Sequence, residues 1–202
     1  TIDLRQNYQS IIFDDKTQEI EIEAGVNMSR LINRLSEEQR SFPIGLSGLT
    51  GIGYLLTGGI SPLSRNQGLA IDNIHRLQGI WGSGDEFDLI KPSNSSDIKR
   101  KLEWKALCGA APFLGIVTKV RLKTYKVNPL IIWQAIVTPS QLTECILQAE
   151  SWPNSGSLQW IWGESIIVYA VFEIDESNSA NEVLTLINKL PYIEEHFLKI
   201  CF

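Results

Sequence analysis

The chain has 202 residues, a hydrophobic fraction of 44% and a net charge of −5. That length allows one large domain or two small ones, and the ordinary apolar content is that of a globular protein. The acidic balance excludes the broad basic patch of a general nucleic-acid binder, and no apolar run approaches the roughly twenty residues of a membrane span.

Residues 18–25, QEIEIEAG, alternate apolar and charged side chains and predict a half-exposed strand that Gly25 ends. NMSRLINRLSEEQ places Met28, Leu31, Ile32 and Leu35 at helical spacing, with Asn27 or Ser29 available as the cap. A glycine-rich stretch follows Phe42-Pro43. DNIHRLQGIWG and EFDLIK predict two strands around a turn at 82–85. SSDIKRKLEWKAL reads as a helix capped by Ser95 or Ser96, and its Lys-Arg-Lys run at 99–101, set among Asp97, Glu103 and Lys105, reads as a solvated helix face. GIVTKVRLKTYKV alternates again and predicts a strand. From Pro129 onward LIIWQAIV reads as a strand, TPSQLTECILQAESW as a helix starting near Thr138 or Ser140, SLQWIWG and ESIIVYAVFEID as a hairpin across 163–164, and SANEVLTLINKL as a helix. Adjacent strands alternating with helices predict an α+β layer structure, with a boundary between 126 and 129.

Several chemistries find no signature. Cys108, Cys145 and Cys201 are widely spaced and odd in number, which argues against a disulfide framework or structural zinc and for small buried side chains in a reducing compartment. His75 and His196 have no ligand-spaced partner, so no metal site is expected. No GxSxG or HExxH occurs. The N-terminus TIDLRQN carries neither Met nor a signal peptide, so a processed chain or a piece of a longer one is expected.

The stretch GLTGIGYLLTGGISPLSRNQG, residues 48–68, concentrates six glycines with one arginine and no acid. A P-loop fails because Gly59 stands where its lysine is required, and a dinucleotide fingerprint fails because Leu56 takes the place of its third glycine. Two readings remain open from the residues alone: tight turns that pack strands, or a backbone nest that lets N–H groups approach an anion.

Beyond the glycines, several segments in order resemble one family. IDLRQN is similar to its strand after a first flavin loop. IEIEAGVNMSRLINRLSEE is similar to its strand, AG turn and helix. FPIGLSGLTGIGYLLTGGISPLSRNQGLAIDNI and LEWKALCGAAPFLGIVTKVRLKTY resemble its two central blocks. The family is the vanillyl-alcohol-oxidase/p-cresol-methylhydroxylase (PCMH-type) superfamily of flavin oxidases, in its berberine-bridge-enzyme-like branch. The resemblance covers residues 2–125. It implies an α+β fold: the second subdomain of a PCMH-type FAD-binding domain at 1–127, a mixed sheet with flanking helices, then the start of an α+β substrate or cap domain at 128–202. It further implies that Gly51, Gly53, Tyr54, Gly58, Gly59 and Ser64 line the FAD pyrophosphate, that Asp72 fixes the loop or a ligand, and that Ile116 and Val117 offer backbone groups to the cofactor.

The sequence departs from the family pattern in places. The loop is one glycine shorter, Thr57 and Ser61 stand at glycine positions, and Cys108 replaces an arginine. Ser47 stands near the family's cysteine tether, and the segment with its histidine tether would precede Thr1. FAD is therefore expected to bind non-covalently, and the chain is expected to be a fragment lacking the first FAD subdomain and the end of the substrate domain. No catalytic residue is assigned; Tyr169 and Glu164 are the nearest candidates. The resemblance implies an FAD-dependent oxidoreductase moving a hydride from an alcohol, sugar or amine carbon to flavin. The alternative is a non-enzymatic remnant or subunit that self-associates or needs a partner chain to complete the fold. A small-molecule substrate, no nucleic acid or membrane partner, and a cytoplasmic location are expected.

Overall fold

A computed structural model describes residues 2–93 and 97–201, with Ile200 and Cys201 by backbone alone. Contacts divide the chain into two compact units, residues 1–61 with 68–127, and residues 62–67 with 128–202. The return of 62–67 to the second unit is not foreshadowed by a domain boundary at 127/128.

In chain order the first unit contributes β1 (Ile11–Asp14), β2 (Glu19–Glu23), α1 (Met28–Glu37), β3 (Arg40–Ser41) and α2 (Ile52–Leu56). After α3 (Ser64–Gln67), which belongs to the second unit, come a 3-10 turn (Ala70–Asn73), β4 (Ile74–Trp81), β5 (Glu86–Ile90), α4 (Ile98–Leu114), β6 (Gly115–Lys123) and β7 (Tyr125–Lys126). The five-stranded sheet has the order β1-β2-β6-β4-β5. Its pairings are all antiparallel, which corrects the mixed sheet that the resemblance implies. The reason is topological: β2 and β4 run the same way, and β6 inserts between them, antiparallel to both. Alternation on the strands turns Ile20, Ile22, Leu77, Val120 and Leu122 to one face, where Leu31 and Leu35 of α1 and Trp104 and Leu107 of α4 complete a core. On β2 and β6 the other face is charged, and Glu21 there meets Lys119 at 3.3 Å and Arg121 at 3.1 Å.

Two local expectations change, and the choice of cap for α1 resolves to one of the two expected residues. Residues 2–7 are not a strand: the Asp3 carboxylate accepts the Arg5 N–H at 2.9 Å and the Tyr8 N–H returns to the Leu4 carbonyl at 3.1 Å, which turns the chain. The α1 cap is Asn27, which accepts the Arg30 N–H. Ser95 and Ser96 lie outside the described residues, and Asp97 caps α4 by accepting the Arg100 N–H. That helix is two segments, because Cys108 and Gly109 leave helical geometry, Gly109 at φ +121°.

Gly79 sits where β4 is irregular against β6. A Cβ there would stand 2.1 Å from the Ile116 carbonyl oxygen and 2.6 Å from the Phe87 ring. Backbone cannot yield as a flexible side-chain tip can, so Gly79→Val is expected to destabilise the first unit by about 3 kcal/mol. At Gly84, where nothing lies within 4 Å of an added Cβ, only backbone strain opposes Ala, and about 1 kcal/mol is expected. Denaturant unfolding of the two variants side by side checks this, and equal losses would refute it.

The second unit adds β8 (Leu130–Val137), α5 (Pro139–Ala149), β9 (Gly156–Trp162), β10 (Ile166–Glu173), α6 (Ala180–Ile187) and β11 (Glu194–Cys201). Its antiparallel sheet has the order β11-β8-β10-β9. Trp133, Val168, Ala170 and Phe172 form a core with Leu142 and Cys145 of α5 and Val183 and Ile187 of α6. Thr138 and Ser179 each cap their helix reciprocally with the residue three further on, Gln141 and Glu182.

Candidate functional site

The glycine stretch is more structured than its composition announces. Gly51 is extended and opens α2, whose Ile52, Leu55 and Leu56 are buried at helical spacing. The Thr57 hydroxyl donates back to the Gly53 carbonyl at 2.9 Å, and the helix ends there. Gly58 and Gly59 then reverse the chain with φ of +127° and +74°. Their carbonyls accept the Ile71 and Ala70 N–H groups, each at 2.9 Å, which ties the loop to the 3-10 turn. The Tyr54 hydroxyl donates to the Ile60 carbonyl, and partial burial raises its pKa. Tyr54 therefore closes the loop on itself.

The packing of the glycines sorts the two open readings position by position. A Cβ on Gly45 would meet the Tyr54 hydroxyl at 2.6 Å, one on Gly48 the Ser29 hydroxyl at 1.9 Å, and one on Gly59 the Ala70 methyl at 2.5 Å. These three serve close packing. At Gly53 and Gly58, among the described residues, nothing beyond the adjoining backbone lies within 4 Å of an added Cβ. Gly58 combines a backbone conformation that L side chains rarely adopt with open space, which leaves a bare backbone surface. No acid occurs between 48 and 68, so nothing in the loop itself repels an anion there.

The other expected site residues are dispersed. The Asp72 carboxylate accepts the Leu69 N–H at 3.0 Å, and the Asp72 carbonyl accepts the Lys91 ammonium, so Asp72 holds the loop. Ile116 and Val117 lie in β6 opposite Ile80 and Gly79, with the Val117 side chain in the core. Ser64 opens α3 and belongs to the second unit. The Ser47 hydroxyl accepts the Leu49 N–H at 3.3 Å. Tyr169, half-buried on β10, accepts from the Gln134 amide at 3.3 Å, and Glu164 is exposed in the turn between β9 and β10.

A cluster that the sequence reading missed follows Ser64. The Arg65 guanidinium donates to the Gly156 carbonyl at 2.7 Å and the Trp152 carbonyl at 3.2 Å. The Asn66, Gln67 and Asn128 amides donate to the buried Glu173 carboxyl group at 2.8, 3.0 and 3.2 Å. The signal was an acid closing the apolar run YAVFE, where a buried carboxyl demands donors.

Residues 1–89 match the FAD binding domain family. The FAD-linked oxidoreductase nodO of Hypoxylon pulicicidum is 33% identical over 142 residues, which is 70% of this chain and 30% of that protein. O-acetylstemmadenine oxidase of Catharanthus roseus is 29% identical over 62% of this chain and 23% of its own length. Among solved structures, xylooligosaccharide oxidase from Myceliophthora thermophila C1 superposes with a TM-score of 0.78 at 20% identity, covering 99% of this chain and 43% of that one. The BBE-like 1 protein of Physcomitrella patens gives 0.77 at 18% identity, over 95% and 43%. The chain thus spans less than half the length of each of these proteins. Residues 1–89 are similar to the FAD binding domain family, the curated relatives named here are an FAD-linked oxidoreductase and an oxidase, and the fold is shared with the two solved structures.

Proposed function

We propose that this chain supplies part of the cofactor-binding frame of an FAD-dependent oxidoreductase that oxidises an alcohol, sugar or amine carbon. The observation that carries the reading is Gly58: a positive-φ glycine with open space beside it, in an acid-free loop inside the segment that matches the FAD binding domain. A diphosphate needs close approach to backbone and no competing carboxylate, and this loop offers both. Bound FAD supplies the redox chemistry as hydride acceptor. The chain's own contribution is to hold a bare backbone surface at Gly53 and Gly58, braced by Tyr54, Thr57 and Asp72. With Ser47 at the loop entry, whose hydroxyl is no thiolate nucleophile, the loop itself supplies no cysteine tether to the flavin. Cys108 and Cys145 are free thiols, pushed up to about 11 by burial, which supports a reducing, cytoplasmic setting.

Flavin uptake tests this reading. The purified chain is expected to quench FAD fluorescence on titration and to release all flavin on denaturation. No uptake at any FAD concentration overturns it.

A second reading has its own observation. On β9, which is an edge strand, Trp160, Ile161 and Trp162 are 45%, 52% and 64% exposed. Such an apolar edge seeks pairing, so the chain would self-associate or need a partner chain that completes the fold. A monomer by sedimentation, with turnover on added FAD, favours the first reading; a colourless oligomer favours the second.

A further inference from the structure

Residues 60–69 make an excursion that closes on itself. At its base the Gly59 carbonyl accepts the Ala70 N–H and the Gly58 carbonyl accepts the Ile71 N–H, each at 2.9 Å. At its tip residues 62–67 belong to the second unit. The tip is itself a folded turn, because the Leu63 carbonyl accepts the Asn66 and Gln67 N–H groups at 3.1 and 2.8 Å. Three of its side chains are pinned within the second unit: Arg65 on the Gly156 and Trp152 carbonyls, Asn66 and Gln67 on the Glu173 carboxyl group.

The pins reach one small region beside the second core. The Glu173 N–H donates to the Ser155 carbonyl at 2.9 Å, so Glu173 is tied to the residue before Gly156. Trp152 and Phe172 are buried next to these anchors, with ring centroids 4.7 Å apart. A Cβ on Gly156 would stand 2.3 Å from the Phe172 ring, so the backbone that receives Arg65 is packed directly on that core. Close-packed anchors of this kind do not drift with the side chains they hold.

Little slack separates the tip from the base. Only Gly68 and Leu69 stand between Gln67 and Ala70. Gly68 turns with φ of +78°. Leu69 is held twice: its N–H donates to the Asp72 carboxylate at 3.0 Å and its carbonyl accepts the Asn73 amide at 2.9 Å. On the other arm the Ile60 carbonyl accepts the Tyr54 hydroxyl. A short, hydrogen-bonded arm transmits a displacement that a long flexible one would absorb.

We infer that residues 60–69 form a strap through which Arg65 and Glu173 act as positioning residues for the Gly58–Gly59 turn, so that releasing the tip from its pins loosens that turn. The strap stands on its own hydrogen bonds; only its effect on FAD rests on the proposed flavin reading.

Native-state hydrogen exchange at the Ala70 and Ile71 amides, measured on the full chain, tests it. Glu173→Gln weakens the pins. Insertion of Gly-Gly after Gly68 lengthens the arm and leaves every pin in place. Ile166→Ala is a large-to-small change in the same core at the far end of β10, and it destabilises the second unit without touching the strap. Exchange at both amides is expected to rise about tenfold in the first two variants and to stay within about twofold of the parent in the third. Glu173→Gln and the insertion are also expected to bind FAD about threefold more weakly, because apparent affinity falls with the fraction of chains that hold the binding conformation. Exchange unchanged in either of those two variants, or raised as much in Ile166→Ala, overturns the strap. Raised exchange with unchanged affinity, in a parent that takes up FAD, overturns the positioning role. A parent that takes up no FAD defeats the flavin reading instead, and the exchange rates alone then decide the strap.

Discussion

Replacing Glu173 with alanine is expected to lower the stability of the second unit by about 3–5 kcal/mol, one of the two largest effects anticipated in this chain. Glu173 is 2% exposed, and both its oxygens accept from side-chain amides, those of Asn66, Gln67 and Asn128. Alanine removes the acceptor from the buried Gln67 amide, at about 1 kcal/mol or more, and from the half-buried Asn128 amide, while the exposed Asn66 turns to water. The same change opens a cavity of several atoms at the end of β10. Glu173→Gln keeps the volume and one acceptor oxygen but turns an NH2 group toward the donors, so about half the loss is expected. Glu164→Ala, in an exposed turn, is the control and is expected to stay within about 0.5 kcal/mol of the parent. Thermal and denaturant unfolding followed by tryptophan fluorescence reads the series. A Glu173→Ala variant as stable as Glu164→Ala would show that the cluster contributes nothing.

That cluster also marks where sequence reasoning stopped. The regular elements were legible because their periods are clean: GluIleGluIleGlu in β2, Met28, Leu31 and Leu35 on α1, and the apolar runs of β8 and β10. Elements whose signal is short or broken were not. The five residues of α2 are too few for a helical period to stand out among glycines. In β11 the register shifts between Glu195 and Phe197, which destroys the alternation that would announce a strand. The site residues divided along a different line. The residues alone left packing turns and an anion nest equally open, and only three-dimensional neighbours separate Gly59, pressed on Ala70, from Gly58, facing open space. The segment SPLSRNQG reads as one motif with the glycines before it, yet residues 62–67 leave the first unit and spend their polar side chains on Glu173 and on the carbonyls of Trp152 and Gly156. Partners separated by about ninety residues or more carry no local pattern, so no period or spacing could have disclosed them.

Gly58→Asp is expected to reduce FAD affinity by at least about 100-fold while leaving the fold intact. Two effects act together. The first is conformational: φ is +127° at Gly58, so any Cβ is strained by about 1–3 kcal/mol, although none of the described residues beyond its chain neighbours touches it. The second is electrostatic and specific to an anionic ligand. A carboxylate projecting into the open space beside Gly58 would meet a diphosphate at short range, and like charges partly shielded from water repel by several kcal/mol. Gly58→Ala isolates the first effect. It is expected to cost stability but to retain measurable FAD binding, because a methyl group adds bulk without charge. Gly53→Ala lies in α2 with open space around its Cβ and no unusual backbone, so it probes the same surface without strain. Lys105→Ala, exposed on α4, is the neutral control. Flavin fluorescence titration at two salt concentrations gives the readout. The Asp variant should regain part of its affinity at high salt, since screening weakens repulsion and leaves strain untouched. If Gly58→Asp and Gly58→Ala bind FAD equally at low salt, the diphosphate does not lie beside Gly58, and the glycine loop is a packing device only.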